Sequence, residues 1–126
     1  MTRRVLLIDD EDDIRAIAAV ALERIGGWSV VSAPSGEEGL ELARTRCGEL
    51  DAVVLDVMMP GMDGPATLQA LRADDATKHL PVVFLTAKVQ AEDRRRLEGI
   101  GAAGVITKPF DPMTLADAVR EQLGWA

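Results

Sequence analysis

Three acids, a threonine and a lysine stand at the ends of short apolar runs. Asp9 and Asp10 follow VLLI (5–8), Asp56 follows AVVL (52–55), Thr86 follows VVFL (82–85), and Thr107-Lys108 follow GVI (104–106). A carboxylate at the end of a buried run is costly unless something pairs with it. Three carboxylates brought together repel, and at least one takes up a proton unless a cation relieves them. Lys108 is one such cation, and a hard divalent ion is another. Magnesium takes oxygen ligands and keeps several waters, so one or two carboxylates plus a backbone carbonyl suffice. With both cations beside it, Asp56 can stay ionised and attack phosphorus, forming an aspartyl phosphate. Such transfer rests on positioning and charge neutralisation. Mg²⁺ and Lys108 would neutralise the phosphoryl oxygens, and Thr86 would donate a hydrogen bond to one of them.

These residues need a scaffold that gathers strand ends. The four runs are continuous and rich in β-branched residues, which suits strands buried on both faces. WSVVSA (28–33) is a weaker fifth. Helical spacing fills the gaps. Ile14, Ile17, Ala18, Ala21, Leu22 and Ile25 recur every three or four residues, and Gly26-Gly27 ends that pattern. Ser35 to Glu38 matches a capping box, with Leu40, Ala43 and Cys47 on one face of the helix it opens. A third helix is predicted from about Pro65 to Ala73, with Leu68 and Leu71 inward, and a fourth from about Gln90 to Ile100, apolar mainly at Val89, Leu97 and Ile100. Asp111-Pro112 reads as an N-cap with proline at the first helical position, opening a fifth helix along Leu115, Val119 and Leu123. Strand-helix alternation repeated five times implies an α/β fold, a parallel sheet with helices on both faces. In such sheets, sites form beyond the carboxyl ends of the strands.

The chain has 126 residues, 48% of them apolar, which suits one domain with a single core. A net charge of −7 argues against a nucleic-acid surface and suits a domain that binds cations or a basic partner. Cys47 is the single cysteine, so no internal disulfide can form, as expected of a cytoplasmic protein. The opening MTRRVLLIDDEDD has too short an apolar run for a signal peptide, and no transmembrane run is present.

The stretches VLLIDDEDDIR, LDVMMPGMDG, VVFLTA and GAAGVITKPF, in this order from residue 5 to 110, resemble a response regulator receiver domain of two-component signal transduction. The resemblance implies one receiver domain over 1–126, with a flavodoxin-like (βα)5 fold and strand order 2-1-3-4-5, an order the receiver family itself exemplifies. It implies that Asp56 accepts the phosphoryl group. Asp10 and Asp56 would ligate Mg²⁺ directly with the Met58 backbone carbonyl, and Asp9 through metal-bound water. Thr86 and Lys108 would contact the phosphoryl group, and the Lys108–Pro109 peptide would be cis. The donor would be a sensor histidine kinase or a histidine phosphotransfer protein. The phosphorylated form would act on a downstream protein, an output domain or a second copy of itself, with no membrane contact and no direct nucleic-acid contact. The chain reaches Ala126 soon after the fifth helix, so it reads as a stand-alone receiver or as part of a longer regulator.

One position departs from the family pattern. Many receivers carry Tyr or Phe three residues before the lysine, where this chain has Val105. Switching is therefore expected to use Thr86 and loop movement, with a smaller change at the fourth helix, fifth strand and fifth helix. Met58 and Lys88 occupy positions that influence phosphoryl lifetime in the family. Two other functions have different signatures. A haloacid-dehalogenase-type phosphohydrolase would carry a second acid two residues after the nucleophile, where Met58 stands. A phosphorylation-independent interaction module would lack one of the acids or the lysine. Other residues read blandly. Asp12 and Asp13 suit a helix N-terminus. Met58, Met59 and Met62 suit loop packing. His79 suits a solvated loop, Arg94–Arg96 a solvated helix face, and Trp28 and Trp125 an exposed setting.

Overall fold

The computed structural model describes residues 2–87 and 90–125. Strands β1 (Arg4–Ile8), β2 (Ser29–Ala33), β3 (Ala52–Asp56), β4 (Val82–Thr86) and β5 (Gly104–Thr107) alternate with helices α1 (Asp12–Arg24), α2 (Gly36–Thr45), α3 (Gly64–Ala73), α4 (Ala91–Gly99) and α5 (Leu115–Leu123). The sheet is parallel, in the order β2-β1-β3-β4-β5. This is the expected flavodoxin-like (βα)5 arrangement. The chain reverses direction along the sheet between β1 and β3, so their carboxyl ends flank the crevice.

Side-chain alternation along each strand splits the core in two. Leu6, Ile8, Val53, Leu55, Phe84 and Val105 face α2, α3 and α4, where Leu40, Leu68, Leu71 and Leu97 meet them. Leu7, Val54, Val83, Leu85 and Ile106 face α1 and α5, against Leu22, Leu115 and Val119. β2 and β5 are the edge strands, and of β2 only Ala33 is buried, which is why its run is the weakest of the five.

Helix signals hold with adjustments. Ser35 accepts from the Glu38 N–H at 3.1 Å, and Asp63 caps α3 by accepting from Ala66 N–H at 2.9 Å. α1 closes through Gly27, whose φ of 74° suits glycine. α5 starts later than expected. Asp111 Oδ1 accepts from Met113 N–H and its carbonyl accepts from Thr114 N–H, so Asp111-Pro112 builds a turn and the helix opens at Leu115 after Thr114. α2 ends at Thr45, which leaves Cys47 half-buried beyond the helix rather than on its face. His79 is exposed in its loop, as expected, and Val89 lies outside the described residues.

Two expectations fail at the surface. Ile17 and Ile25 share the apolar helical spacing of α1, yet they are 46% and 40% exposed. α1 buries the narrow stripe Ala18, Ala21 and Leu22, and a small residue at this spacing brings the helix close without covering its flanks. Trp28, expected outside, is buried and meets Trp125 edge to face with ring centroids 5.1 Å apart.

α4 is loosely held, since Leu97 is its one buried residue. Near its end, Arg72 of α3 donates to the carbonyls of Leu80 (2.7 Å) and Gly101 (3.2 Å).

Candidate functional site

β1, β3 and β5 deliver the expected residues to one edge. Asp9 is wholly buried and Asp56 is 3% exposed, at the end of the central strand. Lys108 reaches between them, with Nζ 2.9 Å from Asp9 Oδ2, 3.2 Å from Asp56 Oδ1 and 3.6 Å from Glu11 Oε1. The Lys108–Pro109 peptide is cis, as expected. Thr86 ends β4 next to β3 and is 2% exposed, and its carbonyl accepts from Lys108 N–H at 2.8 Å. Met58 sits in the loop after β3 and is 64% exposed, and its backbone carbonyl is the oxygen it could offer a hard metal ion. Lys88 lies outside the described residues.

Charge explains the chemistry available. Burial raises the Asp56 carboxyl to about 6, the Asp9 charge adds to the rise, and Lys108 opposes it. Burial works against the Lys108 ammonium, but the hydrogen bond and charge of Asp9, then Asp56, outweigh it and hold Lys108 above its usual range. One lysine therefore does not fully relieve the acids.

The donor set fits a hard cation. Carboxylate oxygens of Asp9, Asp10, Glu11 and Asp56 all lie within 4.8 Å of one another. Asp9 Oδ2 and Asp10 Oδ1 are fully buried, and Asp10 Oδ1 has no hydrogen-bond partner. Asp9 Oδ2 meets the Lys108 ammonium at 2.9 Å. Asp9 Oδ1 accepts from Glu11 N–H at 2.9 Å. Asp10 Oδ1 is different, since no cation pairs with it among the described residues. A buried, orphaned carboxylate oxygen is the mark of an absent partner, and an all-oxygen set matches magnesium.

Two further residues belong to the site. Glu11 joins the acid cluster and faces Lys108, although it is 62% exposed. It is a third acid after β1, standing directly before Asp12 and Asp13, which suit a helix N-terminus. Arg15 donates from Nη1 to the Asp9 carbonyl at 2.8 Å and from Nη2 to Asp12 Oδ1 at 2.6 Å. No residue pattern announces a contact with a main-chain carbonyl.

Residues 5–120 match the response regulator receiver domain. The chain belongs to that family. Receiver domains are phosphoacceptor signalling modules rather than turnover enzymes, and they partner histidine kinases. The chain is 38% identical, over 95% of its length, to the alkaline phosphatase synthesis transcriptional regulatory protein PhoP of Bacillus subtilis, and covers 48% of that protein. It is 40% identical, over 94% of its length, to the sensor kinase CckA of Brucella abortus, and covers 12% of it. The receiver thus spans less than half the length of these curated relatives. Its backbone is similar to the chemotaxis protein CheY4 of Vibrio cholerae, with a TM-score of 0.86, 30% identity, and 96% and 98% of the two chains covered. The acidic pocket is of the receiver Mg²⁺-site type. Among the described residues, no helix is long and apolar enough to cross a membrane.

Proposed function

We propose that Asp56 of this receiver accepts a phosphoryl group from the phosphohistidine of a sensor kinase or phosphotransfer protein. The carrying observation is the buried Asp56 carboxylate, 3.2 Å from the Lys108 ammonium and inside a cluster with an orphaned acid oxygen. An Asp56 oxygen attacks phosphorus as the P–N bond to the donor imidazole breaks. The electron pair returns to the nitrogen, which takes up a proton. Lys108 exchanges part of its contact with Asp56 for the incoming phosphoryl oxygens, and Thr86 donates a hydrogen bond to one of them. Asp10 and Asp56, the Met58 carbonyl, and Asp9 through water would hold Mg²⁺, which supplies further neutralisation of the phosphoryl oxygens. The unit is the whole of 1–126, and its lone cysteine suits the cytoplasm.

The donor's seat follows from reach. Its histidine must come within bonding distance of Asp56, so its carrier must cover the mouth. Beside Lys108 runs an apolar groove lined by Ile14, Ile17, Pro109, Phe110 and Pro112. It continues along Val20, Ile25 and Met113. We read this strip as the contact for the kinase or phosphotransfer protein, which explains why Ile17 and Ile25 are left uncovered.

Output passes to a downstream protein, a further domain or a second copy. Val105 is packed in the same cluster as Phe84 and Leu97, so a short branched side chain fills the place of an aromatic one. Switching then relies on Thr86 and the loop after it. Matched structures with and without beryllofluoride test this, and a large rearrangement at α4, β5 and α5 would count against it.

The primary test is intact mass after incubation with acetyl phosphate, with and without Mg²⁺, beside Asp56→Ala. A single phosphoryl adduct requiring both Mg²⁺ and Asp56 is expected. Folded protein that gives neither an adduct nor beryllofluoride binding would instead be a phosphorylation-independent interaction module.

A further inference from the structure

We propose that Arg15 is a positioning residue for the Asp10 carboxylate, acting through the main chain of the Asp9–Glu11 turn. The inference rests on the metal-site reading above.

Arg15 lies in the first turns of α1, with its backbone N–H bonded to the Glu11 carbonyl at 2.9 Å. Its guanidinium folds back beneath the acidic turn and grips the Asp9 carbonyl at 2.8 Å. The strand ends at Ile8, so that carbonyl stands beyond the last residue of β1. The second arm of the guanidinium reaches Asp12 Oδ1 at 2.6 Å. The Arg15 side chain is 20% exposed, whereas that of Asp12 is 84% exposed, so the arginine is the fixed partner of the two.

Asp9 is therefore held from two sides. Lys108 holds its carboxylate and Arg15 holds its carbonyl. The Asp9 carbonyl and the Asp10 N–H share one rigid peptide plane. Fixing that carbonyl fixes the plane and, with it, the position of the Asp10 Cα and the axis about which its side chain can turn. Asp10 Oδ1 is the buried oxygen without a partner, so its aim matters most. A planar fork can hold two acceptors in a set geometry, which a lysine ammonium cannot. Groups that orient a metal ligand typically change metal affinity by about 10- to 100-fold when lost.

Simple electrostatics makes the opposite forecast. Arg15 is a cation close to a cation site, so removing its charge would tighten Mg²⁺ binding. The two accounts therefore differ in sign. The test is calorimetric titration of Mg²⁺ into wild type, Arg15→Gln, Arg15→Lys, Asp12→Asn and Asp10→Asn, with thermal unfolding of each metal-free protein. Positioning predicts about tenfold weaker Mg²⁺ binding in Arg15→Gln and only partial recovery in Arg15→Lys. Asp12→Asn should stay within about twofold of wild type, because the carbonyl contact survives it. Acetyl phosphate uptake at saturating Mg²⁺ should change far less than the affinity. Unchanged or tighter Mg²⁺ binding in folded Arg15→Gln overturns the proposal. So does weakening matched by an equal loss in Asp12→Asn with a large fall in melting temperature, which marks a general role in the helix. Wild type that binds no Mg²⁺, or binds it equally well as Asp10→Asn, removes the metal-site reading itself and this inference with it.

Discussion

At the carboxyl ends of β1, β3 and β5, Asp9, Asp56 and Lys108 crowd together out of water. At the opposite end of the sheet, Trp28 and Trp125 meet edge to face, with the Arg3 guanidinium 4.2 Å from the Trp125 ring and the Arg120 guanidinium 5.3 Å from that of Trp28. Both ends bring cations against another group. At the aromatic end the cations rest on ring faces, and the contact favours the fold as it stands. At the acidic end the charges are in surplus, and the fold holds a carboxylate that its own lysine does not fully neutralise. The first end is finished by folding, and the second is finished by a ligand. The difference is one of sign, so it can be measured.

The largest effect is expected from Lys108→Ala. It leaves buried acids without their cation and should cost about 3 kcal/mol in metal-free urea unfolding at pH 7. Lys108 is held above its usual value of 10.5, so its contribution is complete below that pH and fades only as pH rises through the folded value. An unchanged urea midpoint would show that the acids were not relying on it. The second is Asp56→Asn. The folded carboxyl titrates at about 6 against an ordinary 3.8, so the folded state binds a proton that the unfolded state has already lost. Stability therefore falls as pH rises from about 4 to about 6 and stays lowered above that. The variant should be more stable than wild type by about 2 kcal/mol at pH 7 without metal, and the gap should close towards pH 4. Adding Mg²⁺ should also narrow it, by stabilising wild type alone. A gap that ignored both pH and Mg²⁺ would erase the contrast between the ends.

Trp125→Ala probes the other end. It should lose about 1–2 kcal/mol from the ring pair and the cation above it, without dependence on Mg²⁺ and with no change across pH 4–7. The smallest effect on stability belongs to Ile17→Ser, within about 1 kcal/mol, since Ile17 is nearly half exposed and lies off the buried stripe of α1. The same variant should take up phosphate from acetyl phosphate at the wild-type rate. It should slow transfer from a phosphorylated histidine kinase by at least about tenfold, the cost of one well-packed apolar anchor. Equal slowing with both donors would place Ile17 in the site rather than beside it.

Much of this was legible because a buried parallel strand writes a continuous apolar run, and four of the five did so. The first or second residue after each run is then the one the sheet carries to its carboxyl edge, which is why Asp9, Asp56, Thr86 and Lys108 could be found together. Where one pattern serves two structures, legibility ended. Asp-Pro suits a turn as well as a cap, and in α5 the turn comes first. The apolar spacing of α1 is that of a core face, but Ile17 and Ile25 lie off the stripe that meets the sheet. Glu11 was hidden among acids that helix-dipole reasoning explained equally well. Arg15 was invisible because its acceptor is a carbonyl that every residue carries.

Arg72 has a mechanical consequence. By holding Leu80 and Gly101 at once, it bolts the trailing end of α4 to the half of the domain that carries α3. The leading end hangs from the strand that finishes in Thr86, and Leu97, near the bolted end, is the helix's one buried residue. α4 is then a beam fixed at one end, so amide hydrogen exchange along it should be fastest at Ala91 and slowest towards Gly101.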